Sequence, residues 1–134
     1  ALSALAVYAR EDLRYFRSAK QDWKAAVRFL DENADAADVV LAGGYWTPLG
    51  LRHYGKELSK PILLVENCGS APPIEKQLAI HQSLWYVTWG PTPPDVAELL
   101  GRRFVLVKMF PGMNGDIFVY RTKNTTADSK TSPP

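Results

Sequence analysis

The chain has 134 residues, of which 46% are hydrophobic and 11% aromatic, and sixteen basic residues stand against fourteen acidic ones. This length suits one domain that can bury a core without disulfides or a structural metal. A net charge of +2 gives no electrostatic case for nucleic acid, which usually requires a dense basic face. One cysteine and two histidines are too few for a zinc site, so no metal is expected.

The first twenty residues differ in composition from the rest. Ala1 to Ala9 is almost entirely apolar, and Arg10 to Lys20 mixes cations with aromatic side chains. We assign 1–20 to an apolar, juxtamembrane helix, and two compatible interpretations stay open. One is a helix packed on the domain or lying at an interface. The other is the stub of a transmembrane helix with its interfacial collar, although the positive charge argues mildly against an extracytoplasmic location.

Beyond residue 20, helical patterns alternate with short apolar runs. Asp22 suits a helix N-cap, and Trp23, Val27 and Leu30 follow at helical spacing, which predicts a helix ending between Asn33 and Ala37. The later predicted elements are, in chain order, strand Val39–Ala42, helix Leu49–Leu58, strand Ile62–Val65, helix Ile74–Gln82, strand Leu84–Trp89, helix Pro94–Leu100, and strands Phe104–Phe110 and Asp116–Arg121.

This alternation predicts an α/β fold with three layers. We expect a mostly parallel five-stranded sheet of order about 3-2-1-4-5, helices on both faces, and a C-terminal antiparallel hairpin. The apolar runs Val39–Ala42 and Ile62–Val65 predict strands covered on both faces. The single α/β domain should span 21–121, and the polar segment 122–134 should be a flexible tail.

A dinucleotide site would need the pattern G-x-G-x-x-G after the first strand, so that backbone amides can approach the pyrophosphate. Gly43 and Gly44 stand there, but Tyr45, Trp46 and Pro48 follow and would crowd that approach. The segment therefore predicts a strand-ending glycine turn, and no cofactor is expected.

No catalytic residue is predicted. Cys68 and His81 could act as a nucleophile and its base only if the fold brought them together, which leaves a small hydrolase as the weakest interpretation. The adjacent carboxylates at 11–12 and 31–32 lie on predicted helices, where neighbouring side chains do not face one another. They are typical of solvated helix faces.

Ligands of open α/β sheets bind at the carboxyl ends of the strands. Aromatic rings at these ends could stack on a sugar or on lipid tails, and core or rim packing is the alternative explanation for them. The predicted ligand-binding residues are Gly43, Gly44, Tyr45, Trp46, Glu66, Asn67 and Trp89.

Two segments carry a family resemblance. Lys20-Gln21-Asp22-Trp23-Lys24-Ala25-Ala26-Val27-Arg28-Phe29-Leu30, followed by Asp38-Val39-Val40-Leu41, resembles the start of the soluble C-terminal domain of bacterial polytopic membrane glycosyltransferases. This group is related to protein mannosyltransferases and aminoarabinose transferases. A tyrosine-bearing helix like that at 51–54 and a late strand pair like 104–110 and 116–121 extend the resemblance over most of 1–121.

The resemblance implies a parent enzyme that moves a sugar from a polyprenyl-phosphate donor to an acceptor on the outer side of the membrane. The catalytic acid of that family lies in a loop between early transmembrane helices, so no catalytic residue is transferred to this chain. We therefore expect a non-catalytic domain at the extracytoplasmic face of the cell membrane. Its expected partners are the parent transmembrane domain, the membrane surface and a glycan or lipid-linked substrate.

Two further possibilities remain open. An exposed apolar amino-terminal helix could drive a homodimer in solution. The alternative function, from a different class, is a stand-alone Rossmann-like domain that binds a small ligand at its strand ends.

Overall fold

The computed structural model describes residues 23–35, 37–44, 46–59, 63–112 and 115–123. The predicted juxtamembrane helix at 1–20, the candidate residue Tyr45 and most of the predicted tail lie outside these residues.

The described chain alternates helices and strands throughout. Helix α1 occupies residues 23–33. It is followed by β1 (Val39–Gly43), α2 (Trp46–Tyr54) with a 3₁₀ turn at Gly55–Glu57, β2 (Leu63–Val65), α3 (Ala71–Ile80), β3 (Leu84–Trp89), α4 (Pro94–Arg103), β4 (Phe104–Phe110) and β5 (Ile117–Thr122).

The predicted α/β class and five-stranded open sheet are confirmed, but the predicted strand order 3-2-1-4-5 is wrong. The order is β2-β1-β3-β5-β4. β1 is parallel to β2 and to β3, whereas β5 is antiparallel to both of its neighbours, β3 and β4. The sheet is therefore mixed rather than mostly parallel.

β5 lies in the interior of the sheet because its apolar side chains are buried there. Ile117 and Val119 are almost completely buried and lie opposite Trp89 and Val87 of β3. The crossover through α4 carries the chain past one strand position, and the β4–β5 hairpin returns to fill it. β4 is left at the edge, where four of its apolar side chains are exposed, namely Val105, Leu106, Val107 and Met109.

The second predicted buried strand is also at an edge. β1 is buried along its whole length, as predicted. β2 pairs only with β1 in the described sheet, and Leu63 is 60% exposed. Leu64 and Val65 pack against the two core clusters on opposite faces, so both faces of β2 are partly covered, but the strand is less buried than predicted because it lies at the edge.

Helices cover both faces of the sheet. Because successive strand residues point to opposite faces, Val40 and Ala42 pack with α1 and α2. Val39 and Leu41 pack with α3 and α4 in a second cluster. Each face therefore has its own core.

Helices α2 and α3 begin earlier than predicted. α2 starts at Trp46 rather than Leu49, and α3 starts at Ala71 rather than Ile74. The residues that suggested loops, Pro48, Pro72 and Pro73, lie within the first helical turns. Proline is tolerated there because those amides have no partner inside the helix.

Helix α1 is anchored by tryptophan and phenylalanine. The buried ring of Trp23 lies against Gly50 of α2, where an added β-carbon would come within 2.5 Å of it. Phe29 packs edge-on against Trp85 and Phe110, with ring centroids 6.2 Å and 6.0 Å away. α1 ends where β1 begins, and its 11 residues rise about 15 Å. Trp23 therefore lies toward the opposite edge, where the parallel strands end.

None of the helices in the described ranges has both the length and the apolar character needed to cross a bilayer.

Candidate functional site

The described residues of the predicted site all belong to one edge of the sheet. Gly43 and Gly44 end β1, Glu66 and Asn67 follow β2, and Trp89 ends β3. Trp46 begins α2, directly after β1. We refer to this region as the strand-carboxyl edge.

The glycines at the end of β1 have packing and backbone roles. A β-carbon on Gly43 would overlap the hydroxyl of Tyr86, which donates a 3.0 Å hydrogen bond to the carbonyl of Cys68. The Cys68 amide in turn donates to the Ala42 carbonyl at 3.2 Å, so the loop after β2 is tied to β1. Gly44 has a φ of +83°, a conformation that favours glycine.

Thr47 was not singled out in the sequence, yet it is the most unusual polar group at this edge. The side chain is 1% exposed, and its hydroxyl has no hydrogen-bond partner among the described residues. It lies in the first turn of α2, close to Gly44. Leaving a buried hydroxyl unpaired costs about 1–3 kcal/mol. A sequence signal did exist, because a threonine opening a helix after a glycine pair can present both its hydroxyl and the helix amides to a ligand.

Glu66 is already engaged in an ion pair. Its Oε1 lies 2.9 Å from Nε of Arg52, and both side chains are partly exposed. Arg52 also donates a longer bond of 3.4 Å to the carbonyl of Pro48. Asn67 follows in a left-handed conformation with a φ of +64°. The pair lowers the net charge that Glu66 would present to a ligand.

The two tryptophans at this edge differ in accessibility. Trp46 is 58% exposed and Leu49, one turn later, is 43% exposed. Trp89 is half-buried against the core, and its indole N–H donates to the carbonyl of Gly115 at 3.1 Å. Of the two rings, that of Trp46 is the more exposed to solvent.

The structure separates the two groups that a cysteine hydrolase would need. Cys68 is buried ahead of α3, and this burial raises the pKa of its thiol to about 11. His81 caps the far end of α3, a helix of ten residues that is about 15 Å long. Within the described ranges, no three His, Cys, Asp or Glu side chains come together as metal ligands would.

A groove of about 890 Å³ lies at the opposite edge, where the parallel strands begin. Its lining includes four cations, Arg102, Arg103, Arg121 and Lys123, and two carboxylates, Asp35 and Asp38. We refer to it as the basic groove. The groove could not be identified from the sequence, because its residues come from chain segments that are far apart.

Asp38 forms the floor of one end of the basic groove. Its Oδ2 accepts hydrogen bonds from Trp85 Nε1 at 3.0 Å and from the Asp35 amide at 2.8 Å. Burial opposes ionisation of this carboxyl, but these bonds, one from Ser83 and the charge of Arg121 outweigh it and lower its pKa. Arg121 lies over the ring of Trp85, with its guanidinium carbon 4.9 Å from the ring centroid.

These features define an α/β domain with an open mixed sheet, an aromatic and glycine-lined strand-carboxyl edge, and a basic groove opposite. No family model matches the chain, and no match is found among curated proteins or solved structures.

Proposed function

We propose that this chain is a non-catalytic domain of a bacterial polytopic membrane glycosyltransferase that uses a polyprenyl-phosphate sugar donor. It acts at the extracytoplasmic face of the membrane, where it assists the binding of the acceptor or of a partner. The resemblance at 20–30 and 38–41 suggests the family, and the orientation of α1 is the observation that carries the proposal.

The chain enters the domain at the strand-carboxyl edge. Residues 1–22, apolar and then rich in cations and aromatics, are joined to α1 at Trp23, which lies toward this edge. Trp46 and Leu49 are exposed there. A transmembrane domain attached through residues 1–22 would therefore face exposed apolar side chains and the open ends of the strands. Tryptophan is well suited to such an interface, since its ring is amphipathic.

The residues behind the resemblance also have physical reasons to recur in such domains. Trp23 anchors α1 to α2 through its contact with Gly50. Asp38 joins the end of α1 to β3 through its bond from Trp85. These two contacts hold α1, the helix that would connect the domain to the membrane, in place on the sheet.

The proposal that this domain is attached to a transmembrane enzyme can be tested by the size of the native polypeptide. An antibody raised against residues 23–123 should detect, in cells that express the native gene, a much larger protein that fractionates with the membranes and resists alkaline extraction. A species of about 134 residues in the soluble fraction would contradict the proposal.

The proposal that the strand-carboxyl edge faces the membrane can be tested on the chain itself. We expect the double substitution Trp46→Ala and Leu49→Ala to weaken binding to nanodiscs containing polyprenyl phosphate by more than about tenfold, since each buried apolar side chain contributes about 1 kcal/mol or more. Ile80→Ala is the matched control, because Ile80 is 61% exposed but lines the opposite groove. Equal effects of the two changes would argue against this orientation.

One observation favours the alternative, a stand-alone Rossmann-like domain that binds a small ligand. The unpartnered hydroxyl of Thr47 lies at the start of α2 beside Gly44. If this hydroxyl serves a ligand, Thr47→Val should raise the melting temperature of the free protein and abolish the thermal shift given by that ligand. Ligand shifts that survive Thr47→Val would exclude the strand-carboxyl edge as the binding site.

A further inference from the structure

The basic groove is independent of the strand-carboxyl edge. Its walls come from the ends of α3 and α4, the starts of β1 and β3, and the end of β5. Since α1 begins toward the opposite edge, the groove lies away from Trp23, the first described residue. A ligand bound here would not compete with the proposed membrane-facing surface.

The cations of the groove exceed what the adjacent helix end requires. Basic residues often neutralise the negative end of a helix, but that end carries only about half an elementary charge. Arg102 and Arg103 end α4, and Lys123 adds a third charge by donating to the Gly101 carbonyl at 3.3 Å. Helix α3 also ends at this groove, yet its last turn has no basic residue. Helix neutralisation alone would not concentrate the cations on one wall.

This wall is held in place by the backbone. The amide of Lys123 donates to the carbonyl of Arg103 at 3.0 Å, and Phe104 lies opposite Thr122 in the β4–β5 ladder. Arg121 already lies over the ring of Trp85, and its charge interacts with the carboxylate of Asp38. Within the described residues the guanidinium groups of Arg102 and Arg103 have no hydrogen-bond or ion-pair partner. Two guanidinium groups without partners among the described residues therefore line the groove on a segment that the backbone holds in place.

We infer that the basic groove binds a phosphorylated saccharide, with Arg102 and Arg103 contacting its phosphate. The planar guanidinium matches a phosphate with two parallel hydrogen bonds, which makes arginine well suited to this anion. The groove volume of about 890 Å³ lies within the usual range for small-ligand sites. His81 and Gln82 on the other wall offer polar groups for sugar hydroxyls.

The inference can be tested with glucose 1-phosphate on the full 134-residue chain, by NMR titration at constant ionic strength. We expect shifts at residues 80–83, 102–103 and 121–123, and tighter binding than for sulfate. The pair Arg102→Gln and Arg103→Gln should raise the Kd at least tenfold. Lys24→Gln with Arg28→Gln is the matched control, since it removes two exposed charges from α1 and should leave the Kd unchanged.

Three results would overturn the inference. Equal weakening by both double variants would mean that only net charge matters, and binding no tighter than that of sulfate would mean a general anion site. Arginine-dependent binding to phosphatidate vesicles without binding of glucose 1-phosphate would assign the groove to lipid. Because none of these measurements involves Trp46 or Leu49, their failure is distinguishable from failure of the proposed glycosyltransferase role.

Discussion

Gly43 has no room for a side chain, because the hydroxyl of Tyr86 occupies the position of a β-carbon. We expect Gly43→Ala to lower the free energy of unfolding by about 1–3 kcal/mol, as overpacking of a core usually does. Urea denaturation measures this. Gly101→Ala is the control, since Gly101 lies in α4 with no atom within 4 Å of an added β-carbon, and it should leave the protein as stable or slightly more stable. Equal effects would exclude the contact with Tyr86 as the cause.

Asp38 should make stability depend on pH in the acid range. Its pKa is lowered in the folded protein because hydrogen bonds from Trp85, Asp35 and Ser83 and the charge of Arg121 outweigh its burial. The stabilisation is therefore fully present above the unfolded pKa of about 3.9 and is lost as the pH falls through the folded pKa. The stability difference between the wild type and Asp38→Asn should shrink below about pH 4.

Denaturant unfolding at a series of pH values measures that difference. Glu98→Gln, on an exposed position of α4, is the control for loss of a carboxylate. A difference for Asp38→Asn that stays constant down to pH 2 would show that the carboxylate charge does not contribute.

Cys68 should be unreactive in the native protein. A pKa raised to about 11 by burial leaves roughly a hundredfold less thiolate near pH 8 than a free cysteine has, and the thiolate is the reacting form. Iodoacetamide labelling followed by mass spectrometry should be at least that much slower in buffer than in 8 M urea. Fast labelling of the folded chain would show that the loop ahead of α3 opens readily.

Individual roles could be predicted from the sequence only where a residue acts through its neighbours in the chain. The spacing of Trp23, Val27 and Leu30 identified the buried face of α1 correctly. The partner of Asp38, by contrast, is Trp85, which is 47 positions away. The local pattern places Thr47 after a glycine pair, but the lack of a partner for its hydroxyl depends on what surrounds it in space.

The two C-terminal strands should differ in hydrogen exchange. β5 is bonded to strands on both sides, whereas β4 is bonded only to β5. Amides of Ile117–Thr122 should therefore be protected throughout, and those of Phe104–Phe110 only where they face β5. Exchange followed by NMR checks this. The reverse pattern would restore the predicted order, in which the last strand is at the edge.

The existence and type of most elements followed from apolar periodicity, but the strand order did not. The run FVLVKMF in β4 is more apolar than IFVYRT in β5, which favoured an interior β4. The structure has the opposite arrangement, because the alternation of Ile117 and Val119 fits a strand between two others. Burial is decided by pairing in space, and composition alone does not specify it.

The molecule as a whole has two chemically different edges. The strand-carboxyl edge could be anticipated, because the ends of buried strands in an α/β sequence are recognisable. The basic groove could not, because segments 35–38, 78–83, 102–103 and 121–123 contribute to it. The antiparallel direction of β5 brings Arg121 and Lys123 to the edge where the parallel strands begin, and its place beside β3 sets Arg121 opposite Trp85.

The same position of β5 makes the last described strand essential to the fold. A chain that ends at Gly112 lacks β5, and β4 then has no pairing partner in the sheet. We expect this truncated chain to unfold without a cooperative transition, and a synthetic peptide of residues 115–123 to restore one. Circular dichroism during thermal unfolding would show either result. A cooperative transition without the peptide would mean that helices and β1 to β3 suffice.

The place of β5 has a consequence for biosynthesis. Until β5 has emerged from the ribosome, β3 has one side free and β4 has no pairing partner among the described strands. Contacts between β5 and β3 join residues about 30 positions apart, so they form late. The nascent chain therefore most needs protection by chaperones just before β5 emerges.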